Sequence, residues 1–452
     1  MSRLEIDWPD EAAERVRAAQ GRLRLAGPAL RDRTFEDRLE SVAKILGDWT
    51  APDSPWRREL ATSLAAASPF THGTIQEGLD AALTRWSPEA FIACAENEVG
   101  SQLAHRGTRL APFDWTTVVA GGSIPMPTIL SSLLPLVLGS PVLLRETRKD
   151  PVTASLLARS IQAADPELSR AFEAVSFPAV DLSAYAIALE APCVVATGSD
   201  ETLAAISSRL DSSHRFVGYG HRFSIAILGR EIADSEPLLE EVAAGLALDL
   251  ARWDQSGCLS PVVAYLVDVP KTVASRLAHQ ISARLAELSH NMPLGDLPPS
   301  QGASIASERS EARMRAASGM GVLVEAPNHT IVLESDAQPR PAPLGRFLRL
   351  MPVESPDALV RALEPFSGHL SNVALAGLAV PGATNIHSEK NADAPSNISQ
   401  TPIKSLLGWL SRAGVSRFTK PGRLQTPPVD WPHDGQPVFS PLSRFTQWTQ
   451  SI

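Results

Sequence analysis

Cys94, Cys193 and Cys258 are the only thiols in this 452-residue chain, and Cys258 has surroundings suited to chemistry. It lies in Trp253-Asp254-Gln255-Ser256-Gly257-Cys258-Leu259-Ser260-Pro261, between a long apolar helical stretch and a strand-like run, Val262–Val267. Its small and polar neighbours leave room for a substrate to reach the sulfur. A thiol is a soft nucleophile that accepts an acyl group and gives it up again. Cysteine also serves as a buried structural hydrophobe, and this local context by itself leaves both readings open.

Two further segments have residues that could meet phosphate. In Ala196-Thr197-Gly198-Ser199-Asp200-Glu201-Thr202 a strand enters a helix through a Gly-Ser turn, and free amides at a helix start attract phosphate. Asp200 and Glu201 suit the helix dipole but oppose an anion. A plain cap at Ser199 explains the same residues equally well. In Leu144-Arg145-Glu146-Thr147-Arg148-Lys149-Asp150 three cations follow a strand and could grip the phosphates of a nucleotide. A solvated charged loop is the alternative there. No Gly-x-Gly-x-x-Gly run stands in the right context, so the ordinary dinucleotide fingerprint is not available.

These segments need elements to hold them. Residues 10–110 read mostly helical, with apolar periodicity in Asp10–Arg24, Phe35–Leu46, Arg57–Ala67 and Thr74–Arg85. From Trp115 strands and helices alternate. Strands are expected at Thr116–Ala120, Val142–Arg145, Cys193–Thr197, Arg215–Tyr219 and Phe223–Leu228, with helices at Ser131–Leu138, Pro151–Ala164 and Asp200–Leu210. The second half repeats the style. A helix at Pro237–Ala251 leads to the cysteine, with proline suited to its first position. Strand Val262–Val267 and helix Lys271–Leu288 follow, then a hairpin of Met320–Glu325 and Thr330–Leu333. Further strands are expected at Leu348–Pro352, Val373–Ala376 and Val415–Phe418. This interleaving predicts an α/β fold with a largely parallel sheet covered on both faces. Residues 384–400 read as a loop, and the stretch from Lys420, rich in Pro, Trp and Gly, as a tail over the surface.

Composition narrows the function classes. Hydrophobic content of 44% with charged content of 20% is that of an ordinary globular protein. A net charge of -9 argues against a non-specific nucleic-acid binder. The longest apolar stretch, around Pro125–Leu138, falls short of the ~20 residues of a membrane span. The start, Met1–Trp8, carries charges where a secretory signal needs an apolar run. Three unevenly spaced cysteines make neither a disulfide framework nor a zinc pattern, so no metal and a reducing cytoplasm are expected.

Taken together, the motifs resemble the aldehyde dehydrogenase superfamily. The order is Ala120-Gly121-Gly122-Ser123-Ile124-Pro125, the strand ending in Arg145, Thr197-Gly198-Ser199-Asp200-Glu201-Thr202, Gly218-Tyr219-Gly220-His221-Arg222, then Asp254 through Cys258. A narrower resemblance, to the LuxC-like acyl-CoA reductases, rests on Gly198–Thr202, on Trp253–Pro261, and on the tail runs Gly422-Arg423-Leu424-Gln425-Thr426-Pro427-Pro428 and Trp431-Pro432-His433-Asp434-Gly435. It covers about residues 110–450.

That resemblance implies an aldehyde-dehydrogenase-like fold: a helical amino-terminal region with a Rossmann-type cofactor domain over 1–229, an α/β catalytic domain over 230–420, and a tail over 421–452 packing back on the body. It implies NADPH-dependent reduction of a fatty acyl-CoA or acyl-carrier thioester to the aldehyde through a Cys258 acyl-enzyme. Catalytic roles fall on Cys258, Ser123 and Gln255, and cofactor contacts on Arg145, Thr147, Arg148, Gly198, Ser199 and Gly220. Homo-oligomers are common in the superfamily. Three departures from its usual pattern matter. The glutamate base of hydrolytic members maps at or beside Gly218, which suits thioester exchange over acid formation. Ser123 replaces the oxyanion asparagine, and Arg145 the cofactor lysine. A CoA-acylating dehydrogenase for shorter aldehydes and a non-catalytic acyl- or nucleotide-binding relative are the alternatives. His221, Arg222 and His387 are lesser candidates, each with a solvent-facing or loop role as the other reading.

Overall fold

The computed structural model describes residues 11–378 and 402–448. Two compact units divide the chain. One comprises Met1–Ser68, Leu79–His221 and Pro428–Ile452; the other comprises Pro69–Gly78 and Arg222–Pro427.

The first unit is built on a five-stranded sheet. Its strands are β1 (Thr116–Val119), β2 (Val142–Arg145), β3 (Phe172–Val175), β4 (Cys193–Thr197) and β5 (Arg215–Tyr219). All pairs are parallel, in the order β3-β2-β1-β4-β5. β1 and β2 are buried along their whole length, as parallel strands covered on both faces must be. Helix Glu11–Asp32 presents Ala13, Val16, Ala19 and Leu23 at helical spacing and packs them with Trp115, Val119, Leu143 and Val175. The helical amino-terminal region thus supplies part of this sheet's core. A small antiparallel ribbon pairs Thr108–Leu110 with Phe445–Gln447.

The second unit holds β6 (Phe223–Leu228), β7 (Pro261–Val267), β8 (Val322–Ala326), β9 (His329–Leu333), β10 (Phe347–Val353), β11 (Leu370–Ala376) and β12 (Arg417–Thr419). Their order is β12-β11-β6-β7-β10-β9-β8, and the β8–β9 hairpin is the antiparallel pair. Leu246 and Leu250 of helix Glu236–Ala251 pack with Leu277 and Ile281 of helix Lys271–Leu288 against Leu266 and Leu350. Opposite, Leu359 and Leu406 pack on Ile225, Tyr265 and Met351.

Several expectations change. Arg215–Tyr219 and Phe223–Leu228, both expected as strands within residues 1–229, lie in different sheets, and the two compact units meet at His221/Arg222. A strand's alternation says which faces are buried, not which sheet buries them. Strand β3 and helix Pro299–Ala317 had no expectation; the helix is made largely of small and charged residues and buries only Ile305, Glu308 and Ala312. The tail divides, residues 421–427 with the second unit and 428–448 with the first. His387 and the expected loop at 384–400 lie outside the described residues. Among the described residues no helix is long and apolar enough to cross a membrane.

Candidate active site

Helix Glu236–Ala251 begins at Ser235, whose hydroxyl accepts from the Leu238 amide, with Pro237 in its first turn. It breaks at Arg252, and three successive residues then take left-handed backbone: Trp253 (φ 54°), Asp254 (φ 49°) and Gln255 (φ 63°). For non-glycine residues this costs roughly 1–2 kcal/mol each, so the surroundings must impose it. Trp253 is buried edge-on to Phe70, 5.3 Å between ring centroids. Asp254 accepts from Arg346 through Nε at 2.9 Å and Nη2 at 2.5 Å, and from the Gly295 amide at 3.1 Å. Burial raises the Asp254 carboxyl above its ordinary range, and the Arg346 charge partly opposes this.

Beyond this twist the chain carries Ser256, Gly257 and Cys258 outward. Ser256 and Cys258 are exposed. The Ser260 amide donates to Gly257 O at 3.0 Å, closing a turn around Cys258. Ser224 donates its hydroxyl to Cys258 O at 2.8 Å. The other two thiols are buried, and burial pushes both up to about 12; for Cys94 the neighbouring Glu98 adds to this. Only a thiolate attacks an acyl carbon, so Cys94 and Cys193 are poor nucleophiles. Of the two readings of Cys258, the buried structural one is excluded.

Gln255 does not reach outward with it. It is 1% exposed. Its Nε2 donates to Pro261 O and Phe347 O, both at 2.9 Å, and its Oε1 accepts from the Phe347 amide at 2.7 Å. A side chain committed in this way ties the loop to β7 and β10.

The expected cofactor residues lie in the first unit near the carboxyl ends of its parallel strands: Arg145 last in β2, Thr147 and Arg148 after it, Gly198 and Ser199 after β4, Gly220 after β5. Ser123 follows β1 and is half-buried. Because the order places β2 and β4 on opposite sides of β1, this edge carries the switch point at which open α/β sheets bind ligands. Gly121 belongs to the close approach there, since a Cβ on it would lie 2.0 Å from Thr197 O.

Their individual settings differ from expectation. Arg145 is 7% exposed, donates to Phe177 O at 3.0 Å, and lies 5.4 Å from the centroids of both Phe177 and Tyr185. It therefore does not join Arg148 and Lys149, which are exposed at the tip of a turn. Thr147 shapes that turn: its carbonyl accepts from the Asp150 amide and its hydroxyl from the Lys149 amide. Asp150 in turn caps the following helix through the Thr153 amide. Ser199 caps helix Asp200–Ser207, accepting from the Thr202 amide at 3.3 Å. Asp200 accepts from the His221 amide at 2.9 Å. Ser199 thus caps this helix, with Asp200 and Glu201 in its first turn.

The tail reaches the same edge. Tyr219, last in β5, stacks on His433 at 4.6 Å with 9° between planes, and Trp431 leans on His433 at 4.7 Å. Glu98 accepts the amides of Val438, Phe439 and Ser440. Gly218 is half-buried, and a Cβ there would sit 3.1 Å from the Phe216 ring. Sequence reasoning missed Arg346, Ser224 and Asp249 as partners of the cysteine loop, because each is remote from it in sequence or hidden in an apolar run.

Comparison with known proteins follows this geometry. A family profile described as acyl-CoA reductase (LuxC) matches residues 106–387. No curated protein matches the sequence significantly. Among solved structures, aldehyde dehydrogenase 21 of Physcomitrella patens, in complex with succinate, is 12% identical with a TM-score of 0.70, covering 97% of this chain and 92% of its own. Glyceraldehyde-3-phosphate dehydrogenase of Methanocaldococcus jannaschii, complexed with NADP, is 10% identical at 0.67, covering 96% and 94%. A putative methylmalonate-semialdehyde dehydrogenase of Sinorhizobium meliloti, complexed with NAD, is 13% identical at 0.65, covering 97% and 91%. The fold is that of aldehyde dehydrogenases, and the chain belongs to the LuxC acyl-CoA reductase family of oxidoreductases.

Proposed function

We propose that this protein reduces a long-chain fatty acyl-CoA to the aldehyde with NADPH, through a thioester formed on Cys258. The observation that carries the reading is the exposure of Cys258 alone among the three thiols, on a backbone held in a costly conformation. Membership of the acyl-CoA reductase family supports the substrate class.

The Cys258 thiolate attacks the thioester carbonyl carbon. The carbon–sulfur bond to coenzyme A breaks, and coenzyme A leaves with the electron pair and takes up a proton. One difficult step becomes two easier ones. On the family resemblance the Cys258 amide would donate to the oxyanion, and Ser123 stands where relatives place an asparagine donor. A bound nicotinamide cofactor, NADPH in this reading, would supply the hydride that takes the acyl group to the aldehyde level and would leave as NADP. Cleavage of the remaining carbon–sulfur bond releases the aldehyde and restores the Cys258 thiolate. The resemblance puts no glutamate at or beside Gly218, where hydrolytic relatives carry the base that activates water, and this favours reduction of the acyl group over hydrolysis.

The family and the switch point support reading this edge as the dinucleotide site, with Gly198 and Gly220 among its contacts. Arg148 and Lys149, displayed by the Thr147 turn, suit a 2′-phosphate and favour NADPH. Arg145, at the end of β2, is buried and its Nε has no hydrogen-bond partner. Three cysteines outside any disulfide fit a reducing compartment.

The test follows NADPH oxidation with acyl-CoAs of increasing chain length, wild type beside Cys258→Ala. Oxidation that needs Cys258 and grows with chain length supports the reading. Full activity in Cys258→Ala overturns the covalent route.

A further inference from the structure

We propose that the segment Gly422–Gln425 is a strap that positions the nucleophile loop, with Gln425, Ser260 and Asp249 as positioning residues for the reaction at Cys258. The proposal rests on Cys258 being the nucleophile.

Asp249 is fully buried in the last turn of helix Glu236–Ala251, just before the loop begins. Its Oδ2 accepts from the Gly422 amide at 2.7 Å and its Oδ1 from the Leu424 amide at 3.1 Å. Gln425 Nε2 donates to the Ser260 hydroxyl, and that hydroxyl donates to Asp249 O at 3.2 Å. The amide of the same serine closes the turn around Cys258. Arg252, the first residue after the helix, donates to Gly422 O at 3.2 Å and pairs with Glu77 at 2.8 Å. The strap therefore grips the nucleophile loop at its start, through Asp249 and Arg252, and at its end, through Ser260.

The strap is itself rigid. Arg417 donates to the carbonyls of Arg423, Leu424 and Thr426, and Leu424 is buried in the core beneath. Its approach to the helix is close enough to require glycine on both sides. A Cβ on Gly245 would lie 2.5 Å from Pro421 C, and Gly422, at φ +84°, would place one 3.0 Å from Gly245 Cα. Covering the core needs only Leu424. Convergence of Gln425 and Asp249 on Ser260 adds polar contacts whose common target is the cysteine turn. Burial also raises the Asp249 carboxyl to about 7, against the pull of the amides and of Arg252, so a costly buried acid is retained at this junction.

The test measures two rates in full-length protein: turnover with acyl-CoA and NADPH, and alkylation of Cys258 by iodoacetamide. Gln425→Leu keeps most of the volume and removes the donor. A misplaced reacting group costs on the order of tenfold or more. We expect kcat to fall about tenfold with KM for both substrates unchanged, and alkylation to slow. Ser260→Ala should do the same, Ser260→Thr should recover most of the rate, and the double variant should be no worse than either single one. Should Gln425→Leu fail to fold, the Ser260→Ala and Ser260→Thr pair reads the same contact. Wild-type kcat and alkylation in Gln425→Leu and Ser260→Ala overturn the strap. Activity surviving Cys258→Ala, with alkylation still slowed in Gln425→Leu, overturns the nucleophile and leaves the strap's hold on the loop standing.

Discussion

The Arg346 guanidinium donates through both Nε and Nη2 to the same oxygen of Asp254, and each residue stands in a left-handed run. Trp253, Asp254 and Gln255 form one run; Leu344, Gly345 and Arg346 form the other, with φ of 62°, 68° and 63°. The ion pair joins the two, and Gln255 adds a second joint to Phe347. Each run is awkward alone, and together they hold the turn before Cys258 in one conformation.

Removing the arginine tests that joint. Arg346→Met leaves the Asp254 carboxylate buried without its cation, and breaking such a pair costs about 3–5 kcal/mol. Urea denaturation should show a loss of that order, and iodoacetamide should reveal altered Cys258 reactivity. A loss under about 1 kcal/mol would mean that Gln255 and Trp253 suffice to hold the turn.

Gly78 makes room for the same turn. Helical glycine replaced by alanine ordinarily gains up to ~1 kcal/mol. Here the new Cβ would lie 2.3 Å from Trp253 Cε2, on a ring that is buried and cannot retreat. Overpacking costs about 1–3 kcal/mol, so Gly78→Ala should lower the melting temperature. A rise would show that Trp253 yields easily.

Asp249 gives a pH signature. Burial, the leading cause, lifts its carboxyl to about 7, above the unfolded value. Between those two values the folded protein holds the proton more tightly. This contribution to stability is complete below the unfolded pKa, declines as pH rises, and is gone above about 7. Asp249→Asn should flatten that part of the melting-temperature profile between pH 4 and 7. The comparison uses the slope, since the variant also alters the bonds to Gly422 and Leu424. An unchanged slope would place the ionisation elsewhere.

Cofactor preference is expected to depend on the Arg148–Lys149 turn. Hydrogen bonds to charged groups contribute ~1.5–3 kcal/mol. Replacing both residues by alanine should therefore weaken NADPH binding about tenfold or more while leaving NADH nearly unaffected. Fluorescence titration of each cofactor measures the ratio, and equal losses for both would move the 2′-phosphate site away from this turn.

What the sequence determined by itself is local. Apolar spacing marked Lys271–Leu288 as a helix, and the structure has it at those bounds. Runs such as Val142–Arg145 and Cys193–Thr197 announced buried parallel strands, because both faces of such strands are apolar. The loop of Cys258 and the family were legible because motif order survives in one dimension. Tertiary structure alone decided which sheet takes Phe223–Leu228, that Gln255 turns inward to Phe347, that Arg145 is buried against Phe177, and that Arg346 and Gly422 meet the cysteine loop from 92 and 170 residues away. Those pairings depend on close packing and on buried polar groups finding partners across the fold, and neither leaves a periodic trace in the chain.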